Sequence, residues 1–343
     1  MTTSQSPDFH LNRPGVLIAA LPAVLGFVPE KSLVLVTVDR GTMGCVMRVD
    51  LADDLPVGHV AEVAATARPD SAIAVVVDEA GANCRLCNDE YRELTETLAG
   101  ALAGHGIELL AAHVVDRVAA GGRWHCVDGC GSAGVIEDPS ASPLAAAAVL
   151  DGRRLYARRA ELQNVIAVGD PARAAALAAT ICNDGGRTDA EARSDVEAAI
   201  EAAAQVAGGD ELSDATVARL AGALTDYTVR DTLYALAVGE NAGQAESLWA
   251  ELSRRLPEPW RVEALVLLAY SAYVRGDGPL AGVSLEAALR CDGTHRMAAM
   301  LDTALQSGLH PEQIRELAAT GFRLADRLGV RLPPRRVFGQ RAG

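Results

Sequence analysis

The chain has 343 residues, of which half are apolar and only 4% aromatic, and its formal net charge is −14. This length predicts two domains, and the apolar content is enough for an aliphatic core in each. The acidic balance and the absence of a long basic run argue against nucleic-acid binding, which needs a basic face that displaces counterions.

The first predicted element is the apolar stretch "GVLIAALPAVLGFVPEKSLVLV" near the N-terminus. It lacks a small-residue cleavage site and is interrupted by Pro22, so it does not fit a secretory signal peptide. Glu30–Lys31 ends the run too early for a membrane span, which needs about 20 apolar residues. We therefore predict a short helix opened by Pro14 and ended near Gly26, in a soluble, cytoplasmic protein without membrane association. Cysteines in that compartment are thiols or metal ligands.

The same stretch also carries a resemblance to a family. The segments concerned are "LPAVLGFVPEKSLV" at 21–34, "RVDL" at 48–51, and later "GRWHCVDGC" and "LLAYSAYVRGDGPLAGVSLEAAL". Together they resemble an uncharacterised actinobacterial domain-of-unknown-function family whose members open with Pro-x-Leu-Leu-Gly-Phe-x-Pro-x-x-Ser-Leu-Val. The resemblance spans most of the chain. It implies no activity, because the family has none to carry over.

Strands and helices alternate through the first half of the chain. The predicted elements are strands at 32–38 and 43–50, a helix at about 57–68, a strand at 72–78, a helix at about 89–103, a strand at 107–115 and a short return strand around Trp124. The first strand is almost continuously apolar, which is typical of a strand covered on both faces. This alternation predicts an α/β domain with a mixed sheet over residues 1–165.

Strand signals stop after about residue 165, and the remaining sequence predicts an all-α domain over residues 166–343. In "LLAYSAYVRGDGPLAGVSLEAALRCDG", Gly276 ends one helix, and small and large residues then recur at helical spacing. This pattern indicates a tetratricopeptide-like hairpin at 261–290. An ordinary helical bundle is an equally good interpretation, since about three repeats are needed for a stable solenoid and one good copy is found.

Aromatic residues near this hairpin suggest a role for the helical half. They are Trp249, Trp260, Tyr270 and Tyr273. Trp and Tyr are enriched at protein interfaces, because they bury a large area at little entropic cost. We therefore predict a protein partner for the helical half, bound in part through an exposed Tyr273. The alternative is that the rings pack between the two domains.

Cys84 and Cys87 form a C-x-x-C directly after a predicted strand and before a helix. A helix N-terminus stabilises a thiolate, so this placement is typical of a thioredoxin-like redox motif. The middle pair is Arg85-Leu86 rather than Gly-Pro, and no proline follows until Pro139. Two ordinary loop cysteines are therefore the favoured interpretation, and candidate redox thiols are the alternative.

A structural zinc site is a further alternative, with the ligands Cys84, Cys87, Cys126 and Cys130 and with His125 as an additional candidate. The strands at 72–78 and 107–115 are expected to be parallel, so the first cysteine pair lies where both strands end. The hairpin after the second strand reverses direction and should carry Cys130 to the opposite edge, roughly 20 Å away. We therefore predict no metal and no other cofactor.

Arg48 and Asp50 stand two residues apart on one strand face, roughly 7 Å from each other. They form either an ion pair at a sheet end, which is the favoured interpretation, or the wall of a pocket. No complete catalytic set such as G-x-S-x-G or H-E-x-x-H is present. Two classes remain. The favoured class is a non-catalytic interaction or regulatory module. The alternative is an enzyme or small-ligand binder with a sheet-edge pocket, using thiol redox chemistry or a metal.

Overall fold

A computed structural model of the protein describes residues 13–52, 55–150, 154–181 and 186–336. The chain divides into two compact units, Met1–Glu161 and Leu162–Gly343. The first unit contains a mixed six-stranded sheet, and the second is mostly helical. The predicted order of an α/β half followed by a helical half is therefore confirmed.

The α/β unit begins with a helix and then alternates strands and helices. Its helices are α1 (Pro14–Leu25), α2 (Val57–Thr66), α3 (Arg85–Ala103) and α4 (Pro143–Leu150). Its strands are β1 (Ser32–Asp39), β2 (Thr42–Asp50), β3 (Ser71–Val77), β4 (Glu108–Val115), β5 (Arg123–Cys126) and β6 (Ala133–Val135). The main disagreement with the sequence prediction is the start of α3. The helix begins at Arg85 rather than at about residue 89, so the C-x-x-C segment forms its N-cap and first turn.

The six strands lie in the order β2-β1-β3-β4-β5-β6. β3 and β4 are parallel, and the other neighbouring strands are antiparallel. Ser32 at the start of β1 pairs with both Asp50 and Val77, and Val77 pairs with Val115. The ends of β2, β3 and β4 therefore share one edge of the sheet, which we call the carboxyl edge.

Each face of the sheet is covered by helices. On one face, Leu33 and Val76 pack with Val60 of α2 and Leu98 of α3 in a single buried cluster. Helix α1 lies on the opposite face, where its Gly15 approaches the indole of a β5 residue. Because side chains alternate along a strand, each residue at the carboxyl edge faces either α3 or α1.

Helix α1 has the bounds that the sequence predicts. Pro14 occupies its first turn, and Gly26 ends it in the left-handed conformation with φ 74°, donating its N–H to Pro22 O. Leu17, Ile18 and most other side chains of α1 are buried, which explains why this helix is apolar on all sides. In the described part of the chain, no helix combines the length and the apolar character that crossing a bilayer requires.

The second unit is built from a succession of helices. They are α5 (Arg159–Asn164), which spans the division, α6 (Pro171–Ala178), α7 (Asp189–Gly208), α8 (Asp214–Leu224), α9 (Tyr227–Leu233), α10 (Ala242–Arg255), α11 (Arg261–Arg275), α12 (Gly278–Cys291), α13 (Arg296–Gln306), α14 (Pro311–Arg315) and α15 (Ala318–Leu328). Gly276 ends α11 with φ 86°, as the sequence predicts. Asp277 then caps α12 by accepting the N–H of Leu280 at 3.1 Å. The result is a helical hairpin at the predicted place.

Three of the four aromatic residues near this hairpin, Trp249, Tyr270 and Tyr273, are core residues, and Trp260 is half-buried. Tyr273 is only 3% exposed, and its hydroxyl donates to Leu309 O at 2.8 Å. Tyr270 is fully buried and contacts Tyr234 edge to face, with the ring centroids 4.9 Å apart. Trp249 is buried as well. The expectation of an exposed Tyr273 is therefore wrong, because these rings fill the space between helices that are rich in alanine.

Candidate functional site

The carboxyl end of β3 leads through a loop, residues 78–84, directly into the C-x-x-C. Cys84 is the N-cap of the 19-residue helix α3, with an extended backbone at φ −89° and ψ 121°. Cys87 lies in the first helical turn, and both cysteines are half-buried. The pair thus stands at a helix N-terminus on the carboxyl edge of the sheet.

The 78–84 loop is held in one shape by α3. Asp78 accepts hydrogen bonds from the Tyr91 hydroxyl at 2.5 Å and from the Ala80 N–H at 3.1 Å. A Cβ at Gly81 would lie 1.9 Å from the Tyr91 oxygen, so only glycine fits there. Cys84 N–H donates to Gly81 O at 2.9 Å. The position of Cys84 is therefore set by contacts on both sides of the loop.

Asn88 links this loop to β5. Its Nδ2 donates to the carbonyls of Ala82 at 3.0 Å and Cys84 at 2.8 Å, and its Oδ1 lies 2.7 Å from His125 Nε2. Burial lowers the pKa of His125, so the neutral ring presents an N–H to Asn88. The Nε2 atom of His125 is therefore engaged by Asn88.

The two thiols of the motif differ in acidity. Hydrogen bonds from the N–H and thiol of Cys87, and from the N–H of Leu86, lower the pKa of Cys84 below its ordinary value. The hydrogen bond with Cys84 raises the pKa of Cys87. A more acidic first thiol followed by a less acidic second thiol is the order that disulfide exchange uses. Leu86, which separates them, is 75% exposed.

Arg48 and Asp50 form an ion pair at the same edge of the sheet. Arg48 also donates to Ser32 Oγ at 2.7 Å and to Glu30 O at 3.3 Å, and it lies over the Phe27 ring. These contacts belong to the α1 face, whereas Cys87 packs against the α3 face. The structure therefore does not bring the two predicted sets of site residues together, and Arg48 stabilises the sheet edge.

The remaining cysteines of the zinc alternative lie in the hairpin between β5 and β6. One ligand atom each from Cys126, Asp128 and Cys130 lies within 4.8 Å of the other two. Within the described ranges this is the group of three that could hold a metal ion, and neither Cys84 nor Cys87 belongs to it. The four-cysteine set considered from the sequence is thus replaced by two cysteines and a carboxylate.

The expectation that this hairpin reaches the opposite edge of the sheet is wrong. β5 has only four residues, and Cys126 pairs with His113, two residues before the end of β4. The N–H of Val127 donates to Ala112 O at 2.9 Å, so the chain turns back beside the middle of β4. What separates the two cysteine pairs is the face of the sheet, since His125 faces α3 and Cys126 faces away from it.

The helical unit contains a cavity of about 460 Å³ that also includes a cysteine. Its Cys291 thiol donates to Glu258 at 3.1 Å, and its Arg261 donates to Ser253 O at 2.7 Å. These polar groups are already paired within the wall of the cavity. The carboxyl edge of the α/β unit therefore remains the better candidate site.

Sequence reasoning missed three residues that shape these sites: Asn88, His113 and Asp128. Asp128 carries a local signal, because Cys-x-Asp-x-Cys between two short strands places three possible metal ligands, two thiols and a carboxylate, in one turn. Asn88 and His113 act through partners that are distant in sequence, and no spacing pattern in the sequence indicates them.

A family model described as Domain of unknown function (DUF4192) matches residues 14–312. The match runs from the start of α1 into α14, and so it includes both units and both cysteine pairs. No curated protein and no solved structure matches the chain.

Proposed function

The chain belongs to the DUF4192 family of domains of unknown function, and we propose that its Cys84–Cys87 pair is the redox switch of a regulatory module. The family supplies no activity, so the support is geometric. One observation carries the proposal: a half-buried Cys84 is the N-cap of α3, and Cys87 follows it in the first turn of that helix. This is the environment that activates a thiolate.

The switch works by thiol–disulfide exchange with a disulfide of low molecular weight, RSSR. The Cys84 thiolate attacks one sulfur, forms Cys84–S–SR and releases RS⁻. Cys87 gives its proton to RS⁻, attacks the Cys84 sulfur, and releases the second RS⁻, which takes a proton from water. The net change is that two protein thiols become one disulfide and RSSR becomes two RSH.

Regulation fits this site better than turnover of a protein substrate. The two residues between the cysteines are Arg85-Leu86, and no proline follows the motif until Pro139. A new Cys84–Cys87 bond would replace the hydrogen bond between the thiols and act on the loop that Asn88 ties to β5. The predicted cytoplasmic location would keep the dithiol as the resting form.

The test uses full-length protein and glutathione disulfide at a series of redox potentials, followed by alkylation and peptide mass spectrometry. We expect one reversible Cys84–Cys87 disulfide, with a midpoint in the range of roughly −270 to −120 mV that such pairs span. Cys87→Ser should trap glutathione on Cys84, and Cys84→Ser should trap none on Cys87. Cys291→Ser is the matched control. Absence of the Cys84–Cys87 disulfide at every potential, or trapping on another cysteine, would contradict the switch.

A partner for the helical unit is our second proposal, and Tyr227 now supports it in place of the buried aromatics. Tyr227 begins α9 and is 68% exposed, as the aromatic residues at interfaces are before binding. Tyr227→Ala should weaken capture of a partner by roughly 1–2 kcal/mol. The exposed Met300 offers a control, since Met300→Ala should change capture little. Equal losses from both variants would remove the basis for choosing Tyr227.

A further inference from the structure

The β5–β6 hairpin concentrates ligands in one turn. Cys126, Asp128 and Cys130 alternate with other residues, and Gly129 and Gly131 adopt φ 72° and 82°, values that favour glycine. The Asp128 carboxylate accepts the Cys130 N–H at 2.9 Å, and this bond together with the neighbouring Cys130 and Cys126 thiols lowers the pKa of Asp128. The turn therefore brings one ligand atom from each of three alternate side chains within 4.8 Å of the other two.

The spacing of these atoms suits a small tetrahedral cation. A tetrahedral zinc ion with bonds of about 2.3 Å sets neighbouring ligand atoms about 3.8 Å apart. The three atoms already lie within 4.8 Å of one another, so movement of side chains alone would close the site. Thiolate ligands select zinc over magnesium or calcium, which prefer oxygen ligands.

His113 provides an independent observation beside this turn. It stands directly opposite Cys126 on β4, is only 5% exposed, and its Nδ1 has no hydrogen-bond partner. A buried polar atom left without a partner costs about 1–3 kcal/mol, so it calls for an explanation. Opposite residues on paired strands have Cβ atoms about 5 Å apart, and the charge of Asp128 acts on His113. His113 is not within 4.8 Å of all three ligand atoms of the turn, so its ring would have to approach them when a cation binds.

We propose that Cys126, Asp128 and Cys130 bind one zinc ion, with His113 as the fourth ligand. The site is separate from the Cys84–Cys87 switch and uses none of its residues. Binding deprotonates the two thiols, so that they join the carboxylate as anionic ligands. Two protons are therefore released for each Zn²⁺ bound. The sequence prediction of no metal was drawn for the four-cysteine set, and it did not consider Asp128 or His113.

The experiment titrates reduced, chelator-stripped full-length protein with Co²⁺ and then with Zn²⁺. We expect one equivalent of Co²⁺ with sulfur-to-cobalt charge-transfer absorption, its displacement by one equivalent of Zn²⁺, and release of about two protons per zinc in weak buffer. Absence of the charge-transfer band and of proton release in the wild-type protein overturns the proposal.

Variants assign the ligands. Cys130→Ser and Asp128→Asn change exposed side chains, so the fold should persist. Each should weaken zinc binding by more than the roughly 10- to 100-fold that loss of a supporting residue costs. The matched control is the Cys84→Ser/Cys87→Ser double variant, which should keep one equivalent. Retention of tight binding in Cys130→Ser, or loss in the control, overturns the site.

His113→Gln tests the fourth ligand. We expect a shifted cobalt spectrum, and an unchanged spectrum overturns the assignment of His113. If this buried variant does not fold, NMR of the wild-type protein replaces it. The His113 imidazole resonances should shift when zinc is added. Unshifted resonances would overturn the assignment of His113 as well.

Discussion

The α3 turn at Cys84–Cys87 and the β5–β6 turn at Cys126–Cys130 each hold two thiols in hydrogen-bond contact, yet their acidities shift in opposite directions. At Cys84, N–H donors of the helix start lower the thiol pKa. At Cys126, burial together with hydrogen bonds to Asp128 and Cys130 raises the pKa to about 12. Spacing between cysteines therefore does not set their chemistry. The neighbouring groups do, as donors favour a thiolate and a carboxylate favours a retained proton.

The largest expected difference between the two turns is in alkylation rate. In reduced, metal-free protein at pH 7, iodoacetamide should modify Cys84 about 30-fold faster than Cys126, or more. At pH 7 a thiol with a pKa of about 12, as at Cys126, ionises about a thousandfold less than one with the ordinary value of 9.0, and the pKa of Cys84 is lowered from that ordinary value. The weaker nucleophilicity of the more acidic thiol offsets about half of this ratio on a logarithmic scale. Quenched reactions with peptide mass spectrometry give both rates. As the pH rises, the Cys84 rate should level off at a lower pH than the Cys126 rate, because the pKa of Cys84 is lowered and that of Cys126 is raised. Equal rates at every pH would contradict this difference.

The next largest effect should come from Gly81→Ala, which disturbs only the α3 turn. The added Cβ would meet the Tyr91 oxygen at 1.9 Å and an Asp78 oxygen at 2.6 Å. We expect a loss of up to about 3 kcal/mol in the free energy of unfolding, measured by denaturant titration.

Gly100→Ala is the matched control for this loss, because it lies in α3 with nothing within 4 Å of the new Cβ. It should stabilise the protein by roughly 0.5–1 kcal/mol. If both glycine variants had the same effect, the shape of the 78–84 loop would not depend on Gly81.

Asn88→Ala should cost about 2 kcal/mol, because it leaves two carbonyls and the His125 N–H without their partner. It should also shift the pH dependence of Cys84 alkylation to higher pH, because the turn that positions the thiol becomes less rigid. Asp89→Ala, which removes only an exposed ion pair with Arg92, is the control and should change stability by less than about 0.5 kcal/mol. An unshifted Cys84 profile in Asn88→Ala would show that Asn88 has no part in positioning the thiol.

The smallest expected effect is that of Tyr91→Phe, about 1 kcal/mol for the lost hydrogen bond to Asp78. The Tyr91→Phe variant is most informative in combination with Gly81→Ala. Removal of the hydroxyl relieves the 1.9 Å contact, so the double variant should be more stable than the sum of the two losses predicts. A double-mutant cycle by denaturant unfolding measures this coupling, and strict additivity would contradict the proposed clash.

Elements with local signals could be predicted from the sequence. Pro14 and Gly26 mark both ends of α1, the apolar runs predict β1 and β3, and Gly276 marks the end of α11. The position of Cys84 before a helix was also predictable, because a strand and an amphipathic helix flank it directly. In each case the decisive residues lie within a few positions of the feature.

Features that depend on distant partners could not be predicted. Strand β5 stops at Cys126 because the glycine-rich turn folds the chain back beside Ala112. The sequence indicates only the direction of this strand, and so it suggests a strand that continues to the opposite edge of the sheet. Tyr273 looks like an interface residue in a chain poor in aromatics, but its partner Leu309 lies 36 positions away. The same holds for His113 and the β5–β6 turn. Their proximity follows from the strand register, which the sequence pattern does not specify.

The burial of α1 has a consequence for synthesis of the chain. Its C-terminal end is fixed by Tyr156, whose N–H donates to Gly26 O at 2.8 Å, so this contact forms only after about 130 further residues have been made. At roughly 5–20 residues per second, that delay is on the order of ten seconds. Throughout that time the apolar α1 segment lacks its contacts with Tyr156 and with α4. We expect ribosome-associated chaperones to bind Pro14–Leu25 on the nascent chain and to release it as the last part of the α/β unit emerges.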